Sequence, residues 1–259
     1  MKRDYLARLF KLKGKVVLIT GACGQLGRAL CRAYRASGCR VIGLDADIKS
    51  GRLKDKAIEY IKCDITKKKS VEKTFNKVCR HFKKLDILVN NAGVSVFEPF
   101  EKRDETSFLK VTDVNLKGTF LCMKAFFKHI KKNSQEGNIV NIGSIYGVIS
   151  PDPRIYTDCE RRNSEVYGAT KAGVIQMTRY FAVHMADYGV RVNCVSPGGI
   201  YNDENPQGKD FVKNYSFRCP MRRMAKAEEI VGAVLYLSSE AAAYTTGQNI
   251  VVDGGSSAW

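Results

Sequence analysis

Val16-Val17-Leu18-Ile19-Thr20-Gly21-Ala22-Cys23-Gly24-Gln25-Leu26-Gly27 passes from a short apolar run into a turn with a glycine at every third position, and then into a helix-forming stretch. A buried strand that turns sharply into a helix opens a βα unit. Glycines at 21, 24 and 27 let the backbone bend, approach a diphosphate closely and pack the new helix against the strand it has just left. The start of that helix offers free amides and a positive dipole end to phosphate oxygens. By itself such a loop is also what any tight strand-to-helix turn requires, so the remainder of the chain decides its meaning.

Working outward, apolar runs of strand length recur at 16–19, 40–44, 58–61, 87–89, 138–142, 190–195 and 249–252. Between them, residues 26–36, 71–82, 108–130, 167–186 and 227–237 carry helical spacing. Strands apolar on both faces that alternate with helices predict an α/β fold, a single Rossmann-like doubly wound parallel sheet of about seven strands with helices on both faces. With 259 residues and neither repeat nor Gly/Ser/Pro linker, one NAD-binding domain over 1–259 is expected, with substrate loops at 150–165 and 200–218.

The 44% hydrophobic content excludes a disordered chain. The basic start, MKRDYLARLFKLKG, is followed by too few apolar residues for a signal peptide, and nowhere do ~18 uncharged apolar residues follow one another. No membrane association and a cytoplasmic location are expected. Nine cysteines form no CxxC pair and no Cys/His cluster, which points to reduced thiols and no metal site. The formal net charge of +17 is spread over runs such as Lys67-Lys68-Lys69 and Lys131-Lys132 without interleaved aromatics. Solvated helix faces account for these better than a nucleic-acid surface, so no nucleic-acid partner is expected.

Asp45 ends the second strand, where an acidic side chain can accept from both hydroxyls of an adenosine ribose and would repel a phosphate there. NAD is therefore expected over NADP, although Arg28, Arg40, Lys49 and Arg52 are near enough in sequence to argue for the phosphate. Further dinucleotide contacts are expected from Gly21, Cys23, Gly24, Gln25, Leu26 and Gly27. Asp64 and Ile65 after the third strand, and Asn91, Ala92 and Gly93 after the fourth, fall where open parallel sheets collect ligands. Asp64 suits an adenine amino group and equally suits a helix N-cap.

Tyr167 and Lys171 stand four residues apart, on one face of a helix. A free phenol ionises near pH ~10, so it exchanges protons at neutral pH only when a cation stabilises its anion. Lys171 supplies that charge. Ser144, just after the fifth strand, can hold a substrate oxygen beside Tyr167. Asn115 interrupts the 108–130 helical stretch with a poor helix former, which suggests a local kink with a bound water.

In order and spacing, the glycine loop, Asp45, Asp64, Asn90-Asn91-Ala92-Gly93, Asn115, Ser144, the Tyr167/Lys171 pair and Pro197-Gly198-Gly199 resemble the compact short-chain dehydrogenase/reductases. The resemblance implies an NAD-dependent oxidoreductase that moves a hydride between nicotinamide and a carbinol or carbonyl carbon. It implies Tyr167 as the acid–base residue, Lys171 on the nicotinamide ribose, Ser144 polarising the substrate and Asn115 anchoring a proton-relay water. It also implies carboxamide or phosphate contacts from Pro197, Gly198, Ile200 and Asn202, and assembly as a homo-tetramer or dimer through two long helices. Asn202 stands where relatives often have threonine, and the glycine spacing is nearer the extended branch that acts on sugar nucleotides.

Twenty-two residues separate Ser144 from Tyr167, a longer connection than such relatives usually carry, and long ordered loops tend to be functional. It brings Arg154, Arg161 and Arg162, whose guanidinium groups match phosphate or carboxylate, together with Asp152, Asp158 and Glu160, which can pair with them. Substrate contacts are expected from Ser144, Tyr146, Arg154, Tyr156 and Gly199. With Gln25 and the terminal Trp259, this loop resembles the oxidoreductases of bacterial legionaminic-acid and flagellin-glycan biosynthesis, which implies a phosphorylated or nucleotide-linked sugar as the small-molecule substrate. A 3-oxoacyl-carrier-protein reductase is the enzymatic alternative, opposed by Asp45. A non-catalytic dinucleotide-sensing or nucleic-acid-binding protein is the other, opposed by the complete tetrad.

Overall fold

The computed structural model describes residues 2–157, 160 and 162–259. Helix α1 (Lys2–Leu9) precedes β1 (Val16–Thr20), α2 (Gln25–Ala36), β2 (Arg40–Asp45), β3 (Ile58–Lys62), α3 (Lys68–Phe82) and β4 (Ile87–Asn90). The second half contains α4 (Glu105–Thr112), α5 (Thr119–Asn133), β5 (Gly137–Ile142), α6 (Glu165–His184), β6 (Val190–Pro197), α7 (Lys209–Arg218), α8 (Ala227–Ser238) and β7 (Asn249–Val252).

All seven strands pair in parallel in the order β3-β2-β1-β4-β5-β6-β7, the doubly wound sheet expected. Successive side chains of a strand point to opposite faces, so each central strand feeds two cores. Val17 and Ile19 of β1 pack with Leu30 and Tyr34 of α2 and with Ile230 and Val234 of α8. Val16 and Leu18 pack on the other side with Phe75 of α3 and with Met123, Phe126 and Ile130 of α5. Each such fully buried aliphatic or aromatic side chain contributes about 1.5–3 kcal/mol.

Because the chain winds outward from β1 to β3 and returns to β4 beside β1, a crevice opens at the carboxyl ends of β1 and β4. Thr20 ties those ends together. Its Oγ1 accepts from the amides of Asn91 (3.1 Å) and Ala92 (3.0 Å), while Asn91 Nδ2 donates to the carbonyls of Thr20 and Gly21, both at 3.0 Å.

Two expectations need correction, and one helix is additional to those expected. The helix read over 108–130 is broken by a π-helical segment, Asp113–Gly118, between α4 and α5, centred where Asn115 suggested a kink. Within the 200–218 stretch read as loop, Lys209–Arg218 is helical; its charges hide a two-residue apolar face, Phe211 and Tyr215, which packs on Tyr156 of another loop. Helix α1, strongly charged, had no periodic signal. Asp158, Cys159 and Arg161 of the inserted loop lie outside the described residues. Among the described residues no helix is long and apolar enough to cross a membrane.

The glycine turn gives a test of packing. A Cβ built on Gly27 would sit 2.0 Å from the Gly21 carbonyl oxygen, whereas one on Gly232, exposed on α8, meets nothing within 4 Å. Gly27→Ala should cost more than ~3 kcal/mol, and Gly232→Ala should stabilise by ~1 kcal/mol, both read from urea unfolding. Equal midpoints for the two variants would refute this account of the turn.

Candidate functional site

Two cavities of about 880 and 570 Å³ share Gln25, Leu26, Asn91, Gly93, Val94, Tyr167 and Ile200, and so form one cleft along the carboxyl edge of the sheet. The larger is the cofactor end. Gly21, with φ +62°, turns the chain out of β1 so closely that an added Cβ would lie 2.7 Å from the Ala92 Cα. No side chain caps α2 at Gly24, which leaves its first amides available to phosphate oxygens. Burial, then Asp45 and Asp47, push the Cys23 thiol up to about 11, so no thiolate opposes a diphosphate there.

Asp45 lines this cavity, with its Oδ2 accepting from the Cys23 amide at 2.9 Å and its Oδ1 accepting from the Asp47 amide at 3.2 Å. Of the four basic residues near it in sequence, Arg28 lines the cavity; Arg40, Lys49 and Arg52 do not. Asp64 also lines it, with Ile65. Its Oδ1 accepts from the amide (3.0 Å) and hydroxyl (2.7 Å) of Thr66, while Lys67 occupies the N-cap position of α3. Asp64 therefore shapes the turn into that helix without capping it. These features fit a dinucleotide without a phosphate on its adenosine ribose.

At the smaller end, Ser144 follows β5 and Tyr167 lies early in α6. Ser164 caps that helix, accepting from the Tyr167 amide at 3.2 Å. One turn on, Lys171 is 5% exposed, donates Nζ to the Ile142 carbonyl at 2.7 Å and lies 5.7 Å from the Tyr167 ring centroid. A Cβ on Gly93 would approach both Lys171 Nζ and Asn115 Oδ1 to 3.4 Å, so glycine lets the three segments converge. Ser144, Tyr167 and Lys171 all line the cleft.

Asn115 stands behind them. Its Oδ1 accepts from the Val94 amide at 2.8 Å, and its Nδ2 donates to the Val94 carbonyl at 2.9 Å and to Thr170 Oγ1 at 3.1 Å. Thr170 in turn donates to the Tyr167 carbonyl at 2.8 Å. The π-helical segment thus fastens the strand-end loop to α6. Such segments often mark functional sites, because they re-aim side chains within a helix.

The two long loops complete the cleft. Tyr146 and Tyr156 line it, and burial, with Tyr156 next, pushes the Tyr146 phenol up, so it stays protonated and does not compete as a base. Gly199 donates its amide to the Tyr215 hydroxyl at 2.6 Å. Pro197, Gly198 and Ile200 line the same wall, and Ile200 forms an isolated parallel bridge with Ala225. Asn202, which lines the cleft, turns its Oδ1 to the amides of Glu204 (3.1 Å) and Asn205 (3.3 Å) and donates its main-chain amide to Gln207 Oε1 at 3.2 Å. Gln25 Nε2 donates to the Tyr201 carbonyl, tying this segment across to the glycine loop.

Arg154 is not brought to the cleft. Its side chain is 75% exposed and pairs with Asp152 at 3.0 Å, because the Pro153–Ile155 turn sets the two on one side. Arg162 lies 5.7 Å over the ring of Tyr156. Trp259, also exposed, lines neither cavity. Ser95, Asn163, Gln207, Phe211 and Tyr215 line the substrate end without a sequence motif to announce them; the aromatic pair becomes visible only when α7 docks on Tyr156, with ring centroids of Tyr156 and Phe211 at 5.2 Å.

A family model described as enoyl-(acyl carrier protein) reductase matches residues 21–257. The chain is 35% identical to an NADH-dependent L-xylulose reductase of Ambrosiozyma monospora, over 99% of both chains. It is 31% identical to an L-fucose dehydrogenase of Oryctolagus cuniculus, over 93% of this chain and 84% of that one. A crystal structure of a short-chain dehydrogenase from Leptospira borgpetersenii with bound NAD+ superposes with a TM-score of 0.89 at 43% identity, covering 95% and 94% of the two chains. With the glycine turn, Asp45 and the Ser144–Tyr167–Lys171 group gathered in one cleft, the chain belongs to the short-chain dehydrogenase/reductase family and is an NAD-dependent oxidoreductase.

Proposed function

We propose that this enzyme oxidises a carbinol, or reduces the matching carbonyl, of a sugar or polyol, and that its finer substrate is a phosphorylated or nucleotide-linked sugar of surface-glycan biosynthesis. The observation that carries the sugar reading is the substrate end itself. Ser95, Ser144, Tyr146, Tyr156 and Asn163 present hydroxyl and amide groups around the reacting position, the donors and acceptors a polyhydroxyl ligand needs. The relatives that act on L-xylulose and L-fucose point the same way. A charged appendage on the sugar that extends past Tyr156, which lines the cleft, would reach the guanidinium of Arg162 lying over its ring, whereas Arg154 turns outward.

In the proposed reaction, bound NAD supplies the hydride acceptor. Ser144 Oγ and Tyr167 hold the substrate oxygen, and the Tyr167 phenolate takes the hydroxyl proton as the hydride leaves carbon. Lys171 would stabilise that phenolate by its charge and would hold the nicotinamide ribose. The water-anchoring role would fall to the main-chain oxygen of Asn115, which accepts from Thr119 Oγ1 at 2.7 Å and has a second lone pair. Eight free thiols among the described residues suit a reducing cytoplasm. A homo-tetramer or dimer would cover Phe120, Tyr180 and Val183, exposed on α5 and α6.

Tyr167→Phe should lower kcat by roughly 10³-fold while the Kd for NADH, read by fluorescence titration, moves less than about threefold. Equal loss of both would overturn the assignment of Tyr167. For the substrate, initial rates with L-xylulose, L-fucose and a nucleotide-linked sugar are compared in wild type, Arg162→Ala and Arg154→Ala. A roughly tenfold rise in KM confined to the nucleotide-linked sugar and to Arg162→Ala supports the charged-sugar reading. Turnover of the free sugars alone, indifferent to Arg162, overturns that finer reading and keeps the coarser one; turnover of none overturns both.

A further inference from the structure

Arg28 is, among the described residues, the one basic side chain lining the cavity at the adenosine end. Its Nη1 donates to the Cys23 carbonyl at 3.0 Å, and its Nη2 donates to Glu204 Oε2 at 2.6 Å. Cys23 in turn donates its amide to Asp45 Oδ2 at 2.9 Å. Asp45, Cys23, Arg28 and Glu204 therefore form one chain of contacts beside the position of the adenosine ribose. Glu204 arrives from 176 residues away in sequence, on the segment after β6. Asn202 Oδ1 holds its amide, and Gln25 fastens the neighbouring Tyr201 carbonyl to the glycine loop.

A guanidinium at this place is what a ribose phosphate would seek, since Arg matches phosphate geometry in a bidentate fashion. Here that guanidinium, its side chain 15% exposed, is pinned by a carbonyl on one side and a carboxylate on the other. A phosphate seeking that guanidinium would have to compete with Glu204 for it, in a cavity that the carboxylates of both Asp45 and Glu204 line. The Glu204 side chain is 73% exposed, so the pair adds little to fold stability. Its consequence is for selectivity, because a guanidinium already held by a carboxylate is withheld from a phosphate, and juxtaposed like charges count against the wrong ligand.

We infer that Glu204 is a second specificity-determining residue for NAD over NADP, acting through Arg28 and in addition to Asp45. The dinucleotide alone is concerned, so the test needs no substrate and is independent of the sugar reading. Kd values for NADH and NADPH are measured by fluorescence titration in wild type, Glu204→Gln, Glu204→Asp, Arg28→Ala and the Glu204→Gln/Arg28→Ala double variant. Glu204→Gln should tighten NADPH by roughly tenfold with NADH changed less than about threefold, Glu204→Asp should keep most of the wild-type discrimination, and the gain should vanish in the double variant. An unchanged ratio, equal loosening of both dinucleotides, or the same gain without Arg28 would overturn the proposal.

Discussion

Lys171 brings a full positive charge to a place where 5% of its surface meets solvent, and the site is organised around keeping it there. Removing an ammonium from water costs several kcal/mol even after relaxation, so a buried cation persists only where oxygen acceptors and an anion partner compensate. The Ile142 carbonyl at the end of β5 provides one acceptor at 2.7 Å. The ring of Tyr167, one turn earlier on the same helix, lies 5.7 Å from that charge, the pairing that the proposed acid–base role would use. Three elements set this arrangement: the end of β5, the start of α6 fixed by the Ser164 cap, and the π-helical segment that locks Asn115 to Thr170 and Val94.

The dinucleotide end obeys a different constraint, the close approach of backbones. Gly21 and Ala92 lie so near each other that a side chain on the first would collide with the second, and Thr20 holds the two strand ends at that spacing with its hydroxyl. A cleft walled by main chain can accept a long, flat cofactor along its length. Side chains line its ends, with carboxylates of Asp45 and Glu204 at one and the Ser144–Tyr167–Lys171 group at the other. The segment after β6 spans both ends, since Gly199 is held by Tyr215 at the substrate side while Tyr201 and Glu204 are held by Gln25 and Arg28 at the glycine loop.

Local order carries the sheet and the tetrad in the amino-acid sequence. Strand runs such as Val16–Thr20 are apolar because both faces are covered, the glycine turn is dictated by backbone collisions within a few residues, and Tyr167 meets Lys171 through helical spacing. These are short-range requirements, so they leave a periodic or spaced trace. The long loops leave none. Arg154, expected among the substrate contacts from its place in the inserted loop, turns outward and pairs with Asp152 of the same short turn. Phe211 and Tyr215 reach the cleft only when α7 docks on Tyr156, and Glu204 reaches Arg28 only when the segment after β6 folds back over the glycine loop. Tertiary structure decided those placements because each depends on one surface meeting another far along the chain, for which no pattern of neighbouring residues is required.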